Sequence, residues 1–250
     1  MTYCLGMLLS GGLVLASDAR SNAGVDQVQR VSKLALIAVP GERVITIQSA
    51  GNLATTQSVI TQLRQAAGLG DPGQDLYLAR TMFDVAQMVG NKLRELIDRE
   101  GKYVEPYGDP SASFLVGGEI KGEEVRLFEI YSAGNFIEAH PRACFVQIGE
   151  TKYGKPILDR ALTFESTLDQ AAKLAVLSFD ATMRSNLSVG PPIDLLRYRA
   201  GSFSTDNLIS LEADDAYLLA LRDDYSAGLT SLVDSLLSPP DHAFVSGVHA

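Results

Sequence analysis

The first fifty residues carry short apolar runs separated by residues that favour turns. Ser10-Gly11-Gly12 and Pro40-Gly41 each lie between two such runs. Short apolar or alternating segments bounded by Gly, Pro and Ser are typical of β-hairpins. The pattern predicts two hairpins, of which the first starts at residue 2. The four predicted strands are Tyr3–Leu9, 13–16, Leu34–Val39 and 43–48.

Helical spacing replaces this alternation after residue 52. The side chain of Asn52 can accept hydrogen bonds from the backbone N–H groups of a helix start, so it is a plausible N-cap. The Gly-Asp-Pro-Gly sequence at 70–73 breaks the pattern before apolar residues again recur at helical intervals. Two consecutive helices, 53–67 and 77–99, are therefore predicted.

Strand-like runs return in the second half of the chain and alternate with two further helices. Thr167 can cap a helix, and Pro191-Pro192 interrupts regular structure before another extended run. Antiparallel hairpins covered by helices favour two stacked sheets with the helices outside. The predicted elements are strands 114–120, 125–131, 143–148 and Ile193–Arg199, and helices 168–183 and 212–236, the last with an acidic face.

The length and charge of the chain limit the classes of function. It has 250 residues, 46% of them apolar, and no low-complexity tract or long polar linker, so a single domain over 1–250 is expected. The net charge of −9 and the isoelectric point near 4.8 disfavour polyanionic partners. We therefore expect neither nucleic acid nor an anionic membrane as a partner.

The two cysteines and the apolar start of the chain indicate a reduced, unexported protein. Cys4 and Cys144 occur singly in apolar runs, so both are expected to be buried and reduced. Residues 5–16 lack a basic segment and are interrupted by Ser10-Gly11-Gly12, unlike a signal peptide. No apolar run reaches the ~18 residues of a membrane span, and a soluble cytoplasmic protein is expected.

Several familiar catalytic arrangements are missing from the sequence. Its three histidines are His140, His242 and His249, and the last two lie in the tail after Pro239-Pro240. No Gly-x-Ser-x-Gly elbow, Walker A loop or Gly-x-Gly-x-x-Gly fingerprint occurs. Histidine-based acyl transfer and the usual phosphate cradles are therefore disfavoured, and no cofactor or metal is expected.

The threonine at position 2 offers another kind of nucleophile. A threonine hydroxyl reacts poorly, but the α-amine of the same residue, with an ordinary pKa of ~7.7 to 8, can accept its proton. Thr2 has a free amine only if Met1 is removed, and threonine is small enough for that removal to be normal. Taken alone, a threonine at this position also fits an ordinary chain terminus.

A longer series of residues after Thr2 changes that interpretation. Thr2-Tyr-Cys-Leu-Gly6 is followed by Gly12-Leu-Val-Leu-Ala-Ser-Asp18-Ala-Arg20, by Asn22-Ala-Gly24 and by Lys33. This order of a first-strand threonine, an aspartate ending the second strand, an arginine and a lysine resembles the start of a proteasome β subunit. The lysine comes one residue sooner than in most of these subunits, which indicates a loop shortened by one residue.

Two further stretches, 17–26 and 184–194, are more similar to the Anbu (ancestral β subunit) branch of bacterial proteasome-type peptidases. Weaker similarity extends over a core of residues 2–198 and leaves an acidic helix and tail, 199–250, outside it. The resemblance implies an α+β fold, the four-layer αββα sandwich of N-terminal-nucleophile hydrolases. The element order predicted from the residues agrees with that fold.

The resemblance also implies roles for individual residues. The hydroxyl of Thr2 would attack a peptide carbonyl, and Lys33 would activate it electrostatically, since a nearby cation favours the alkoxide-like state. Asp18 would orient Lys33 and keep it charged. The backbone N–H of Gly51 would form the oxyanion hole. Ser188 matches a serine that the family keeps near its site.

The same resemblance implies a specificity pocket, and it also exposes two departures. Glu150 stands where proteasome β subunits have a glycine-flanked serine, and its carboxylate could raise the pKa of the Thr2 amine or bind it as an ammonium. Ser185 stands where the family has an aspartate. The residues matched to the first specificity pocket are Ser21, Val31, Ser49 and Leu53.

Three functions follow from these observations. The first is a threonine-type peptidase that hydrolyses peptides or unfolded proteins inside a homo-oligomer, either a ring or a helical array, with an unfoldase partner left undetermined. The second is an N-terminal-nucleophile amidase acting on a small amide. The third is a catalytically silent scaffold subunit, which retention of Met1 would favour because the required amine would then be part of a peptide bond.

Overall fold

Twelve strands and five helices form within residues 2–22 and 28–239, the part of the chain that the computed structural model describes. The strands are β1 (Tyr3–Leu9), β2 (Gly12–Asp18), β3 (Arg20–Asn22), β4 (Val28–Arg30), β5 (Leu34–Val39), β6 (Arg43–Gly51), β7 (Ala112–Ile120), β8 (Arg126–Ile130), β9 (Phe136–Glu138), β10 (Phe145–Gly149), β11 (Ile193–Arg199) and β12 (Leu208–Leu211). The helices are α1 (Leu53–Ala66), α2 (Met82–Val104), α3 (Lys155–Ala161), α4 (Leu168–Ser185) and α5 (Ala216–Ser235).

Two five-stranded antiparallel sheets form the centre of the molecule. The first has the strand order β10-β1-β2-β11-β12, and the second has the order β5-β6-β7-β8-β9. The predicted hairpins β1-β2 and β5-β6 are both present, one in each sheet. A separate two-stranded ribbon, β3-β4, follows β2. The two hairpins thus bring the start of the chain and the start of β5 into facing sheets.

Three apolar layers hold the sheets and helices together. One lies between the first sheet and helices α3 and α4, another between the two sheets, and the third between the second sheet and helices α1 and α2. The molecule is therefore an α+β sandwich of four layers in the order αββα, as the sequence predicts. Strand β12 adds an edge to the first sheet beyond residue 198.

Strand β1 illustrates how the residue pattern fits these layers. Tyr3, Leu5 and Met7 pack towards the helices, whereas Cys4 and Leu8 lie in the layer between the sheets. Side chains alternate between the two faces of a strand. All seven residues of β1 are buried because both faces of the first sheet are covered.

The predicted caps of two helices are confirmed. The side-chain oxygen of Asn52 accepts hydrogen bonds from the backbone N–H groups of Ala54 and Thr55, so α1 begins at the expected place. Thr167 caps α4 and forms a reciprocal capping box with Gln170. Each cap satisfies N–H groups that the first helical turn leaves without partners.

The second predicted helix, 77–99, is wrong at both ends. The carboxylate of Asp75 accepts hydrogen bonds from the backbone N–H groups of Gly70 and Tyr77, which holds this segment in turns. Thr81 then caps the helix through a box with Asp84, so α2 runs from Met82 to Val104. A local side-chain contact thus delays a helix that apolar spacing alone places too early.

Several short elements were absent from the sequence-based prediction. Strands β3, β4 and β9 have three residues each, β12 has four and α3 has seven. Such segments are too short to display a period, and their partners in the fold stabilise them. The last helix begins at Ala216, four residues later than predicted, because Asp215 caps it.

Two expectations about the cysteines are confirmed, since Cys4 and Cys144 are both buried and neither forms a disulfide. Among the residues that the structure describes, no helix has the length and apolar character needed to cross a membrane.

Candidate active site

Thr2 and Asp18 lie next to each other because they occupy the neighbouring ends of the β1-β2 hairpin. The register pairs Cys4 with Ser17, so Thr2 and Asp18 fall at the same end of the two strands. The backbone N–H of Tyr3 donates to Oδ1 of Asp18 over 2.9 Å, and the Asp18 side chain is completely buried. The hairpin therefore places a buried carboxylate beside the residue that precedes β1.

Lys33, the residue before β5 of the second sheet, completes this corner. Its Nζ donates to Oδ1 of Asp18 over 2.7 Å and to the backbone carbonyl of Arg20 over 2.6 Å, and its side chain is 6% exposed. Burial raises the pKa of Asp18, and the ammonium of Lys33 is the strongest influence in the opposite direction. The pair fixes a positive charge next to the strand that starts after Thr2.

The other flank of Thr2 is held by the end of β10. The backbone N–H of Glu150 donates to the carbonyl oxygen of Thr2 over 2.7 Å. Gly149 has φ of +83°, and a Cβ there would collide with that same carbonyl oxygen. Only glycine therefore allows β10 to approach Thr2 so closely.

The predicted oxyanion residue, Gly51, is the last residue of β6. It has φ of +111°, and a Cβ at this position would lie 2.5 Å from the carbonyl oxygen of Ser111. Both the backbone conformation and the close approach of the β7 start require glycine here. Gly51 is thus an exposed residue whose position is fixed by the adjoining start of β7.

Three of the four residues assigned to the specificity pocket line one cavity together with Lys33. We call this cavity of about 340 Å³ the lysine cavity. Ser21 lies on the ribbon strand β3, and its side chain falls outside the described part of the structure. The lysine cavity is lined by Val31, Ser32, Lys33, Leu34, Ala35, Ser49, Leu53, Thr56, Gln57, Ile60, Thr61 and Arg64.

A network around Glu150 joins Thr2 to the loop that carries Ser188. The Glu150 carboxylate is buried and accepts hydrogen bonds from the backbone N–H of Lys152 and from Nδ2 of Asn186, both over 3.0 Å. Oδ1 of Asn186 in turn accepts from the backbone N–H of Ser188 over 2.9 Å. Asn186 thus connects Glu150 with Ser188, which are both predicted site residues, although Asn186 itself was not predicted to belong to the site.

Ser185 lies apart from this network, at the exposed end of α4. Arg20 supports the same loop from the opposite direction, since its guanidinium donates to the carbonyl oxygen of Leu187 over 2.8 Å. That guanidinium also packs against Gly190, where a Cβ would overlap it. The Ser188 loop is therefore anchored to β10 through Asn186 and to the end of the first hairpin through Arg20.

Tyr3 packs on the helix-covered face of the first sheet and helps to hold Asp18 in place. It was not among the residues predicted for the site. Its hydroxyl is 2.7 Å from Oγ of Ser178 and accepts a hydrogen bond from Nε2 of Gln147 over 2.6 Å. Burial raises the pKa of Tyr3 to about 12, so the phenol stays neutral. Because its backbone N–H binds Asp18, the fully buried Tyr3 ring fixes the position of that contact.

A larger cavity, of about 780 Å³, lies at the other end of β1. It surrounds the β1-β2 turn and borders Leu9, Gly12 and His140. None of the predicted site residues lines it. Apart from Ser185, the predicted site residues whose side chains the structure describes instead lie around Thr2, in the Asp18 and Lys33 corner, the lysine cavity and the Glu150 network.

Comparison with known proteins gives this arrangement a family. A family model described as a proteasome subunit matches residues 2–196. The chain belongs to the proteasome subunit family. None of the curated proteins compared with this chain matches it significantly.

Solved structures narrow this assignment to the Anbu branch. Anbu (ancestral beta-subunit) from Yersinia bercovieri is 44% identical, with a TM-score of 0.90 over 96% of this chain and 100% of that one. A helical assembly of the Anbu complex from Pseudomonas aeruginosa gives 46% identity and a TM-score of 0.90 over 96% and 98% of the two chains. A Gly-1 mutant of Anbu from Hyphomicrobium sp. strain MC1 gives 43% identity and 0.89, with 96% and 100% covered.

This Anbu-family chain therefore has the proteasome-subunit fold of an N-terminal-nucleophile hydrolase. The match to the family model runs from Thr2 into β11 and includes every residue of the Thr2, Asp18 and Lys33 corner. The predicted resemblance and the predicted fold class are both confirmed.

Proposed function

We propose that this Anbu-family chain is a cytoplasmic threonine-type peptidase whose nucleophile is Thr2, freed by removal of Met1. The observation that supports this most strongly is the buried Lys33 ammonium, held 2.7 Å from Asp18 beside the start of β1. Burying an ion pair costs the free energy of hydration of both charges. Apolar residues of similar size in the same place would often make the fold equally stable. A fixed cation beside a hydroxyl is useful when that hydroxyl must act as a nucleophile.

The proposed reaction is acyl transfer in two stages. Oγ1 of Thr2 forms a bond to the peptide carbonyl carbon while its proton passes to the α-amine of the same residue, directly or through a water. The carbonyl oxygen becomes negative and accepts a hydrogen bond from the backbone N–H of Gly51. The C–N bond then breaks, and the leaving amine takes the proton. Water hydrolyses the resulting ester, which restores Thr2.

In this mechanism Lys33 and Asp18 act as a unit. The positive charge of Lys33 favours the negative character that develops on Oγ1, and Asp18 keeps the ammonium oriented. Glu150 and Ser188 are assigned to the surroundings of the α-amine, since Glu150 binds the Thr2 backbone and Asn186 links it to the Ser188 loop. Glu150 is a positioning residue in this proposal.

The shape of the site favours a peptide over a small amide. The lysine cavity has a volume of about 340 Å³ and runs from Lys33 along α1 as far as its last turn, with Thr56, Ile60 and Arg64 in its lining. A small amide would fill only part of that volume, whereas an extended peptide would place a side chain in it. Val31, Ser49 and Leu53 are the proposed contacts for that side chain.

We also propose that the chain assembles with copies of itself, as a ring or a helical array. Helix α5 buries only Leu218 among its residues and leaves Leu229, Leu232 and Val233 half-exposed. Apolar side chains grouped in this way are uncommon on monomers. The Pseudomonas aeruginosa relative is described as a helical assembly, which supports the same behaviour here. Light scattering that gives a 26.8 kDa particle at micromolar concentration would contradict this part.

The decisive experiment measures the intact mass of the protein before and after incubation with a β-lactone or epoxyketone probe. Wild-type protein should lack Met1 and gain one probe adduct. Thr2→Ala should also lose Met1, because alanine is small, but gain no adduct. Thr2→Ser should regain labelling at a lower rate.

Each other outcome changes the proposed function. Retained Met1 without an adduct would favour a silent scaffold subunit. Loss of Met1 and normal labelling, combined with turnover of a simple amide but not of peptides of eight or so residues, would favour an amidase. An adduct that persists in Thr2→Ala would place the nucleophile elsewhere and contradict the proposal.

A further inference from the structure

A second cavity lies on the β10 side of Thr2. We call this cavity of about 300 Å³ the glutamate cavity, and it shares no lining residue with the lysine cavity. Gly51, from the end of β6, and Gly149, from the end of β10, both border it. The remaining lining includes Ser111, Ser113, Glu129, Tyr131, Gln147 and Thr151.

Glu129 supplies the only charge among the residues that line this cavity. It lies on β8, opposite Leu115 of β7, and Leu115 packs in the layer between the sheets. Within the described residues its carboxylate has no ion pair and no hydrogen bond. The glutamate cavity therefore combines hydroxyl groups, one amide side chain and an uncompensated negative charge.

The environment of Glu129 disfavours this isolated charge. Burial raises the pKa of its carboxyl group. Burial also raises the pKa of the neighbouring Tyr131, and the charge of Glu129 adds to that effect. A cation placed in the cavity would offset the lost hydration of the carboxylate, and the nearby hydroxyl oxygens could accept further hydrogen bonds from it.

The two cavities border different neighbours of Thr2. The lysine cavity borders Lys33, which binds Asp18 beside the start of β1. The glutamate cavity borders Gly149, and the backbone N–H of the next residue, Glu150, donates to the Thr2 carbonyl oxygen. A substrate whose carbonyl sits between Thr2 and Gly51 must extend in both directions. If the acyl half occupies the lysine cavity, the half that leaves as an amine lies at the glutamate cavity.

We propose that the glutamate cavity binds the leaving half of a peptide substrate and that Glu129 selects a lysine or arginine side chain there. This inference rests on the proposed peptidase function, because it assumes that Thr2 attacks a peptide held across both cavities. A metal ion would be a poorer occupant. Among the described residues no group of three His, Cys, Asp or Glu side chains is arranged to bind one.

Internally quenched peptides provide the first test. They share one acyl half and differ only in the residue that follows the cleaved bond: lysine, norleucine or glutamate. Lysine should raise kcat/KM about fivefold to tenfold over norleucine, as expected for a partly buried ion pair, and glutamate should lower it. Glu129→Gln should reduce the lysine preference to within about twofold. Glu124→Gln, an exposed glutamate in the same β7-β8 hairpin, should leave it unchanged.

A binding measurement makes the test independent of turnover. In Thr2→Ala, which cannot acylate, the same peptides are titrated by fluorescence anisotropy. The lysine peptide should bind more tightly than the glutamate peptide, and Glu129→Gln in that background should remove the difference. Equal affinities, no binding of any peptide, or a lysine preference that survives Glu129→Gln would overturn the inference.

The two proposals can fail separately. An acyl-aminocoumarin substrate with the same acyl half has a neutral leaving group, so its hydrolysis reports the peptidase function alone. Hydrolysis of this substrate without any lysine preference would refute only the role of Glu129. Charge-selective binding in Thr2→Ala without hydrolysis by the wild-type protein would refute only the peptidase.

Discussion

The corner around Asp18 and the cavity around Glu129 differ in how a carboxylate is balanced, although both lie against residues next to Thr2. Asp18 is fully buried and accepts hydrogen bonds from Lys33 and from the Tyr3 backbone. Glu129 is partly buried and has no partner among the described residues. The first arrangement is balanced in charge within one subunit, although Oδ2 of Asp18 accepts no hydrogen bond from the described residues. The second one is left for a ligand, so the comparison separates what positions the nucleophile from what selects the substrate.

The largest expected effect comes from breaking the balanced corner. Asp18→Asn leaves the Lys33 ammonium buried without its partner, so the free energy of unfolding should fall by about 3–5 kcal/mol. Urea denaturation measures this loss, and probe labelling of Thr2 should disappear. Adding Lys33→Met to Asp18→Asn should restore stability but not labelling. A double variant less stable than Asp18→Asn would contradict a paired role.

The control for that prediction is an ion pair on the surface. Asp169 binds Lys173 one helical turn away on α4, and both side chains are more than half exposed. Such pairs contribute little because water screens them. Asp169→Asn should therefore leave both the denaturation midpoint and the labelling rate unchanged.

A smaller effect is expected where the two regions meet. Gly51→Ala places a methyl group against the carbonyl oxygen of Ser111 at a positive φ, which should cost about 2–3 kcal/mol and abolish labelling. Gly41→Ala is the matched control, because its φ is +72° but its Cβ would meet no atom within 4 Å. It should cost only about 1 kcal/mol and leave labelling intact. Equal losses of stability in Gly51→Ala and Gly41→Ala would contradict a cost from the contact with Ser111, because backbone strain alone would then explain both.

Disrupting the Glu150 network should have a weaker effect on stability and on probe labelling. Asn186→Ala removes one donor from the buried carboxylate of Glu150, which should lower the free energy of unfolding by about 1–2 kcal/mol. Since Glu150 also holds the Thr2 backbone, the rate of probe labelling should fall about tenfold. Asn207→Ala, at an exposed asparagine, should change neither quantity. Unchanged labelling in Asn186→Ala would remove Asn186 from the site.

The smallest effect concerns the unbalanced carboxylate. The unfolded chain loses the Glu129 proton near the ordinary value of 4.5, whereas burial raises the folded pKa. Between these two values the folded state binds more protons, so stability falls as pH rises through them. Glu129→Gln should remove this part of the pH dependence and be at least as stable as the wild type at pH 7. Urea midpoints measured from pH 4 to 7 test it, with Glu124→Gln following the wild-type curve.

The success of sequence reasoning differed between these regions. Thr2, Asp18 and Lys33 were selected because their order along the chain matches a known family, and the hairpin register brings Asp18 to the N-terminal end of β1. Glu129 looked like an ordinary polar residue in an alternating strand. Its direction into a cavity depends on how the two sheets stack. Asn186 was missed because its partner Glu150 is 36 residues away.

Local residue chemistry determined much of the fold. The alternation in β1 and β2, the turn at Ser10-Gly11-Gly12 and the caps at Asn52 and Thr167 all act over a few residues, so the sequence by itself specified them. Helix α2 departs from its predicted start for the same kind of reason, since the contacts of Asp75 are local but not periodic.

The tertiary structure alone decided which of these pieces meet. Pairing of β1 with β10 and the approach of Gly149 to Thr2 depend on contacts across more than a hundred residues. The glutamate cavity likewise brings together residues from β6, β7, β8 and β10. No local pattern encodes such contacts, because burial of three apolar layers sets the stacking of the sheets. The sequence therefore specified the nucleophile candidate, and the packed sheets determined what surrounds it.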